Sequence, residues 1–193
     1  MKNLIQQAVT TLRKDGLIIY PTDTIYGLGA DALSEEAVLK VYEAKGRQYH
    51  NPVSIAVSDP EMIDLVAWVD EIAEVFIREC LPGPVTLILP ARSILPSILT
   101  GGTGRIGIRF PAQDVALEII REFDSPITAT SANPSGGPDP VTVNDALVPH
   151  DLVIDVGALR GTPSTVVDLV SREIIRPGAQ LEKIASLLAE WGC

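Results

Sequence analysis

The chain has 193 residues, 46% of them hydrophobic, which is enough for one sizeable core and predicts a single domain over residues 1–193. A formal charge of −10 argues against a protein whose main task is to grip a nucleic-acid duplex, because such binding relies on clustered lysine and arginine. Two cysteines and two histidines, far apart in the sequence, provide neither a disulfide framework nor a zinc site.

The N-terminal stretch MKNLIQQAVTTLRKDG carries apolar residues at helical spacing, which predicts a helix over residues 3–14 that ends before Gly16. The stretch has no continuous apolar segment, so it does not have the form of a secretory signal peptide. No part of the sequence approaches the ~20 apolar residues that a membrane-spanning helix needs. We therefore expect a cytoplasmic protein that does not enter a membrane.

Short strands and helices alternate along the rest of the chain. Apolar runs predict strands at residues 17–20, 53–57, 85–89, 106–110, 126–130, 152–156, 165–169 and 173–177. Helical spacing and capping residues predict helices after Ser34, after Asp59, and over residues 70–80, 112–123 and 180–191. Because β-α-β units are mixed with adjacent strands, we expect an α/β domain with one twisted, mixed β-sheet covered by helices.

The segment YPTDTIYGLGADA, residues 20–32, is rich in hydroxyl groups and glycine for the end of a buried strand. One interpretation is a local turn in which threonine and aspartate side chains bond the backbone. The other is a ligand-binding wall, in which Gly27 and Gly29 let the backbone approach a small polar ligand. GLGADA also matches a dinucleotide-binding fingerprint. We reject that interpretation because PTDTIY separates it from the strand and no acidic residue follows about 20 positions later.

Two further segments combine groups that suit phosphate. In EAKGRQYHNP, residues 43–52, the donors Lys45, Arg47 and Asn51 follow a predicted helix. Cations are favourable at a helix C-terminus without any ligand, but arginine and lysine also suit an anion site. TATSANPSGG, residues 128–137, follows a strand and is typical either of a simple chain reversal or of a phosphate-binding concavity.

Isolated polar residues beside apolar strands complete the candidates. Arg109 lies within IGIRF, where a charged residue pairs with an acid or reaches a ligand. Ser164 and Arg176 stand beside two later strands. Three loop aspartates are either caps or magnesium ligands: Asp23, Asp31 and Asp139. No Ser-His-Asp or Cys-His arrangement is apparent, so we expect no covalent intermediate.

The segments that carry a family resemblance are, in chain order, YPTDTIYGLGADA, KGR followed by NP, GIR, TSANPSG, STVVD and RPG. Through these segments the chain resembles the YrdC-like family of L-threonylcarbamoyladenylate synthases over about residues 17–178. The resemblance implies a YrdC/RibB-like α/β fold with a concave basic cavity. It implies a nucleotidyltransferase that converts L-threonine, bicarbonate and ATP, with Mg²⁺, into threonylcarbamoyl-AMP and pyrophosphate. A downstream transferase complex would then modify a tRNA adenosine beside the anticodon, with weak tRNA contact by this protein.

The resemblance also assigns residues to the two substrates. It implies contacts with threonine from Thr24, Tyr26, Arg109 and Ser164. It implies contacts with the nucleotide from Lys45, Arg47, Asn51, Arg105, Ser131, Asn133, Asp139 and Arg176, of which Lys45 and Arg47 would be catalytic. It leaves the metal ligands unknown. The chain departs from the family at Ala56, Arg105 and Asp139, and its length is that of the short, single-domain members.

Two other functions fit parts of this pattern. A non-enzymatic RNA-binding or ribosome-maturation protein would use the same cavity for an RNA nucleotide, although acidity and only 5% aromatic residues count against it. A carbamoyl-adenylate-forming enzyme would use carbamoyl phosphate instead of threonine, an activity that normally belongs to a module of a much larger protein.

Overall fold

Two mixed β-sheets flanked by helices form the architecture of this computed structural model, which describes residues 1–191. The strands are β1 (Ile18–Tyr20), β2 (Gly27–Gly29), β3 (Ile55–Ala56), β4 (Val85–Pro90), β5 (Arg105–Arg109), β6 (Ile127–Thr128), β7 (Thr130–Ser131), β8 (Leu152–Val153), β9 (Thr165–Asp168) and β10 (Glu173–Arg176). The α-helices are α1 (Lys2–Leu12), α2 (Glu35–Lys45), α3 (Pro60–Val66), α4 (Glu71–Cys80), α5 (Asp114–Phe123) and α6 (Leu181–Glu190). Two 3-10 helices span Ser97–Thr100 and Val143–Asp145.

The predicted mixed α/β class is confirmed, but the strands divide between two sheets instead of one. Four strands pair in the order β7-β2-β1-β8 and six in the order β10-β9-β4-β5-β3-β6. The stretch predicted as one strand, residues 126–130, is shared between them: β6 pairs with β3, and β7 pairs with β2. Ala129 lies between the two strands and donates its N–H to Ser54 O at 2.7 Å, so the chain changes sheets at this residue.

Strand β2 is an element that the sequence pattern did not predict. Gly27 and Gly29 pair with Tyr20 and Ile18 in an antiparallel register. A Cβ atom on Gly27 would lie 3.0 Å from the Tyr20 ring, and one on Gly29 would lie 3.0 Å from both Ile18 and Tyr20. A side chain at either position would therefore crowd β1, and the low strand propensity of glycine explains why the strand was not predicted.

Helices α2, α3 and α4 begin after capping side chains at the predicted positions. Ser34 Oγ accepts from Ala37 N, and Asp59 and Asp70 cap α3 and α4 in the same way. Gly46 ends α2 in the left-handed region, with φ +58°. No helix within residues 1–191 is both long and apolar enough to cross a membrane. Cys80 is a buried free thiol, and Cys193 lies outside the described residues.

The apolar core covers both sheets and leaves their junction polar. Helices α1 and α5 pack together over β1, through residues such as Ile5, Leu12 and Ile119. A second cluster joins α3, α4 and α6 to the six-stranded sheet, with Phe76 and Leu87 fully buried, and a third packs α2 against β1 and β2. The polar side chains of the candidate site lie where the two sheets approach each other.

Candidate substrate-binding site

A cavity of about 200 Å³ lies between the two sheets. Strands β1, β2 and β7 contribute Tyr20, Gly27 and Ser131 to its lining, while β5 and β10 contribute Arg109 and Arg176. The remaining polar lining residues include Thr22, Thr24, Arg47, Ser54, Thr86 and Ser164. Hydroxyl groups and three arginines therefore share one hollow, a donor set that suits an anionic ligand.

The PTDT segment is both a local turn and part of the cavity wall. Thr22 Oγ1 accepts from Thr24 N at 3.1 Å and from Ile25 N at 3.2 Å, and donates to Ile25 O at 2.7 Å. The Thr24 hydroxyl lies 2.9 Å from Thr22 Oγ1 and also lines the cavity. The two interpretations of this segment are thus compatible, because the local bonds hold Thr24 in place.

Arg109 is fixed on the cavity floor by a buried ion pair. Its Nη2 lies 2.5 Å from Asp23 Oδ1, and its Nη1 lies 3.4 Å from Thr24 Oγ1. Burial lowers the pKa of Arg109, and the Asp23 carboxylate partly opposes that shift. Within residues 1–191, Arg109 Nε and Asp23 Oδ2 are buried without a hydrogen-bond partner. The guanidinium group therefore keeps donor capacity after its pairing with Asp23.

Ser164 and Arg176 form a second polar group on the cavity wall. Arg176 Nη2 donates to Ser164 O at 2.9 Å and to Ser164 Oγ at 3.0 Å. Thr86 Oγ1 lies 2.8 Å from Ser164 Oγ. Arg176 thereby has a fixed orientation, and its Nε and Nη1 groups make no hydrogen bond to the described residues.

Arg47 reaches the cavity from the loop after α2. Its Nε donates to Asn51 O at 3.1 Å and its Nη2 to Pro52 O at 2.8 Å. Its Nη1 makes no hydrogen bond within the described part of the chain. Asn51 contributes its backbone carbonyl here, and its exposed side chain is not among the lining groups. The loop thus holds Arg47 through backbone carbonyls and leaves it able to bind an anion.

Lys45 lies behind the cavity wall instead of in its lining. Its ammonium group donates to Ser131 O and to Asn133 O, the latter at 2.6 Å. Burial, followed by repulsion from Arg47, lowers the pKa of Lys45 from 10.5 to about 8, while Asp139 acts in the opposite direction. Asn133 and Asp139 also lie outside the lining, and the Asn133 amide donates to Gly137 O and Pro138 O.

Tyr26 is among the residues that line the cavity, and Arg105 is not. The Tyr26 ring lines the cavity, but its hydroxyl donates to Gly157 O at 2.7 Å and accepts from Val156 N at 3.1 Å. Burial raises the pKa of the Tyr26 hydroxyl. Arg105 lies at the opposite end of β5 from Arg109, where its Nη1 is 2.6 Å from Asp168 Oδ2. Arg105 therefore lies in an ion pair outside the cavity lining.

The three candidate magnesium ligands do not form a cluster. Asp23 pairs with Arg109, and Asp31 Oδ1 accepts from Leu33 N at 2.9 Å as a local cap. Asp139 acts on Lys45 through its charge. Residues 1–191 contain no group of three or more His, Cys, Asp or Glu side chains that could hold a metal ion. Within residues 1–191 the three aspartates thus lie apart from one another, and a contribution of any one of them to magnesium binding stays a prediction.

Sequence reasoning assigned no role to several polar lining residues, among them Ser54, Thr86 and Thr130. The sequence leaves Thr22 open between a local turn and a ligand-binding wall, whereas Thr86 belongs to the predicted apolar strand VTLIL. Thr86 is a single hydroxyl residue in an apolar strand, as Arg109 is a single charge in one. The same signal that identified Arg109 was thus available for Thr86.

Comparison with known proteins gives consistent matches. The family model Sua5_yciO_yrdC, described as "Telomere recombination", matches residues 10–178. The chain is 38% identical to the threonylcarbamoyl-AMP synthase of Pyrococcus abyssi, with 96% of this chain and 57% of the relative covered. It is also 38% identical to the Bacillus subtilis threonylcarbamoyl-AMP synthase, with 90% and 53% covered.

A solved structure shares this fold. The crystal structure of P. abyssi Sua5 complexed with L-threonine matches with a TM-score of 0.91 and 38% identity, over 96% of this chain and 57% of that one. The chain thus spans about half the length of the curated relatives it matches.

Proposed function

The chain belongs to the Sua5/YciO/YrdC family, and from that premise we propose that it forms threonylcarbamoyl-AMP and pyrophosphate from L-threonine, bicarbonate and ATP. The observation that carries the proposal is the cavity, in which Arg47, Arg109 and Arg176 face one hollow together with hydroxyl groups. A relative with this fold was crystallised with L-threonine, which supports an amino acid as one ligand.

The buried end of the cavity suits the amino acid. Arg109 presents a guanidinium group to the substrate carboxylate, and Thr24 and Ser164 offer hydroxyl groups beside it. Arginine pairs with carboxylates through parallel N–H donors, which fixes orientation as well as charge. The side-chain methyl group that separates threonine from serine is worth about 1–3 kcal/mol in an apolar pocket, or about 10- to 200-fold.

The outer arginines suit the triphosphate. Arg47 and Arg176 each keep N–H groups that make no bond to residues 1–191, so both are available to phosphate oxygens. Two like unit charges about 4 Å apart repel by roughly 4 kcal/mol at an effective dielectric constant of 20. Because a carboxylate, a carbamate and a triphosphate must meet here, fixed cations offset a repulsion that would otherwise prevent their approach.

The chemistry requires no nucleophile from the protein. The threonine amine attacks carbon dioxide derived from bicarbonate and loses a proton, which gives a carbamate. A carbamate oxygen then attacks the α-phosphorus of ATP, and the bond to the departing pyrophosphate breaks in line. Positioning supplies about 7–11 kcal/mol of the barrier, and preorganised charge stabilises the transition state. We propose that Mg²⁺ arrives bound to the phosphates of ATP, because phosphate oxygens are ligands that it prefers.

Mass analysis of reaction mixtures tests the proposal. The protein is incubated with ATP, Mg²⁺, bicarbonate and each amino acid in turn, and the adenylates are identified by mass. We expect threonylcarbamoyl-AMP as the main product, with serine giving about 10- to 200-fold less. A product formed from carbamoyl phosphate without threonine would instead indicate the carbamoyl-adenylate activity. Salt-sensitive RNA binding without ATP consumption would indicate the RNA-binding role.

The product's use by other components is part of the same proposal. Threonylcarbamoyl-AMP carries a reactive mixed anhydride, so a separate transferase must accept it promptly. We propose that this acceptor modifies tRNA, and that direct tRNA contact by the present chain is weak because its net charge is −10.

A further inference from the structure

Lys45, the last residue of α2, binds one turn of the chain through both its backbone and its side chain. Its carbonyl accepts from Ser135 N at 3.0 Å. Its ammonium group donates to Ser131 O and Asn133 O, and lies 3.2 Å from Asn133 Oδ1. An ammonium group has three N–H donors, so acceptors within the protein account for all of them.

The turn that Lys45 holds runs from Ser131 to Pro138, and we call it the 131–138 turn. Asn133 extends the contacts of Lys45 to the far half of this turn, because its amide donates to Gly137 O at 2.7 Å and Pro138 O at 2.8 Å. Asn133 Oδ1 also accepts from Ser131 Oγ at 2.6 Å. A continuous chain of hydrogen bonds therefore joins the end of α2 to both halves of the turn.

The same turn forms part of the cavity wall. Ser131 lines the cavity, and Ala132 N donates to Tyr26 O at 3.0 Å on the β2 side. The position of Ser131 is thus set from one side by β2 and from the other by Lys45. Arg47, only two residues later, differs because its guanidinium group lines the cavity and retains unbonded N–H groups.

We propose that Lys45 is a positioning residue, which holds the 131–138 turn and Ser131 against the nucleotide side of the cavity, while Arg47 and Arg176 bind the phosphates. The nucleotide part of this inference rests on the proposed function. The part that concerns the order of the turn does not, because it follows from contacts in the protein without substrate.

The ionisation of Lys45 supports this role. The charged groups that face its ammonium are Arg47, which lowers its pKa, and Asp139, which raises it. Since burial is the largest influence and brings the pKa to about 8, Lys45 loses a proton as the pH rises through that value. The neutral amine has two N–H donors, so one of its three contacts with the turn is then lost.

Hydrogen exchange in the substrate-free protein tests the positioning role directly. In Lys45→Met we expect amide exchange of the 131–138 turn to be at least about tenfold faster, because a hydrogen bond to a charged group contributes roughly 1.5–3 kcal/mol. Arg47→Met should leave exchange in the turn unchanged, and so should the matched control Lys40→Met, at a half-exposed lysine of the same helix that does not contact the turn. Unchanged exchange in a folded Lys45→Met variant would overturn the proposal.

Nucleotide binding separates positioning from phosphate contact. Affinities for adenosine, AMP and ATP are compared in the wild type, Lys45→Met and Arg47→Met. A positioning role predicts that Lys45→Met weakens all three by a similar factor, whereas Arg47→Met should weaken ATP most. If Lys45→Met lost more affinity for ATP than for AMP, and more for AMP than for adenosine, the proposal would be overturned. If the wild type binds no nucleotide, the proposed function fails while the exchange result still decides the role in the turn.

The wild-type protein provides a further measurement in case Lys45→Met does not fold. Exchange is compared at pH 7 and pH 9 after correction for the intrinsic pH dependence of amide exchange. We expect extra exchange at pH 9 in the 131–138 turn and none in α5, which serves as an internal reference. Equal corrected rates in the turn at both pH values would contradict the inference.

Discussion

The two ends of strand β5 carry the same residue type in different surroundings. Arg109 has a side chain 9% exposed and lies 2.5 Å from Asp23, whereas Arg105 is 39% exposed and lies 2.6 Å from Asp168. The two ion pairs have nearly the same length. Only Arg109 lines the cavity.

The aspartates of these pairs differ more than the arginines. Asp168 Oδ1 also accepts from Val170 N at 2.9 Å and Ser171 N at 3.2 Å, so this carboxylate keeps partners without Arg105. Asp23 Oδ2 is buried without a partner among residues 1–191. The comparison teaches that two features of an ion pair decide how much its arginine contributes to stability and to ligand binding. These features are the burial of the pair and the other hydrogen bonds that its carboxylate makes.

The largest effect is expected from Arg109→Met. This change leaves the Asp23 carboxylate buried and uncompensated, which costs about 3–5 kcal/mol of the free energy of unfolding. It also removes the proposed carboxylate ligand, so adenylate formation should fall by at least about 10²-fold. Denaturant unfolding and the mass assay measure the two effects.

The double variant Asp23→Asn, Arg109→Met separates these two effects. Because the buried charge is gone, most of the lost stability should return while activity stays low. Recovery of activity together with stability would show that Arg109 has only a structural role.

Arg47→Met is expected to have the next largest effect, on catalysis alone. Loss of one preorganised donor to a transition state lowers kcat by about 10²–10³-fold, and we expect a loss of that size. Since Arg47 is half-buried and bonds only loop carbonyls, the free energy of unfolding should change by less than about 1 kcal/mol. Steady-state kinetics with ATP as the varied substrate checks this, and near-normal turnover would remove Arg47 from the mechanism.

Gly27→Ala tests how tightly β2 packs against the Tyr20 ring beside the cavity. The added Cβ would lie 3.0 Å from the ring of Tyr20, which is fully buried and donates its hydroxyl hydrogen to Thr128 O. Overpacking of this kind costs about 1–3 kcal/mol of the free energy of unfolding. The smaller Leu at position 20, in Tyr20→Leu, should reduce that cost in a double-mutant cycle, and additive effects would contradict the packing account.

Arg105→Met is expected to have the smallest effect. Its half-exposed ion pair should contribute no more than about 1 kcal/mol, and Asp168 retains its backbone donors. Activity should stay close to that of the wild type. A loss of activity comparable to that of Arg109→Met would contradict the proposal that only the Arg109 end of β5 binds substrate.

Local chemistry made much of the fold predictable. Ser34, Asp59 and Asp70 begin helices by accepting backbone N–H groups within the next turn, and Gly46 ends one, so these boundaries depend on neighbouring residues alone. The family resemblance predicted Thr24, Arg47, Arg109, Ser131, Ser164 and Arg176, which the fold brings to one cavity.

Long-range contacts decided what the sequence could not predict. The glycines of β2 pack against the Tyr20 ring, and Ala129, between β6 and β7, bonds to Ser54, 75 residues earlier in the chain. The acceptors of Lys45 lie 86 and 88 residues away along the chain, so the sequence cluster of Lys45, Arg47 and Asn51 could not reveal these contacts.

Calorimetric titration with L-threonine tests most directly the central claim that the buried end of β5 forms the substrate site. The wild type and Arg105→Met should bind with the same affinity, and the double variant Asp23→Asn, Arg109→Met should show at least about tenfold weaker binding, since a charge-assisted hydrogen bond contributes roughly 1.5–3 kcal/mol. Equal threonine affinity in the wild type and the folded double variant would contradict the account.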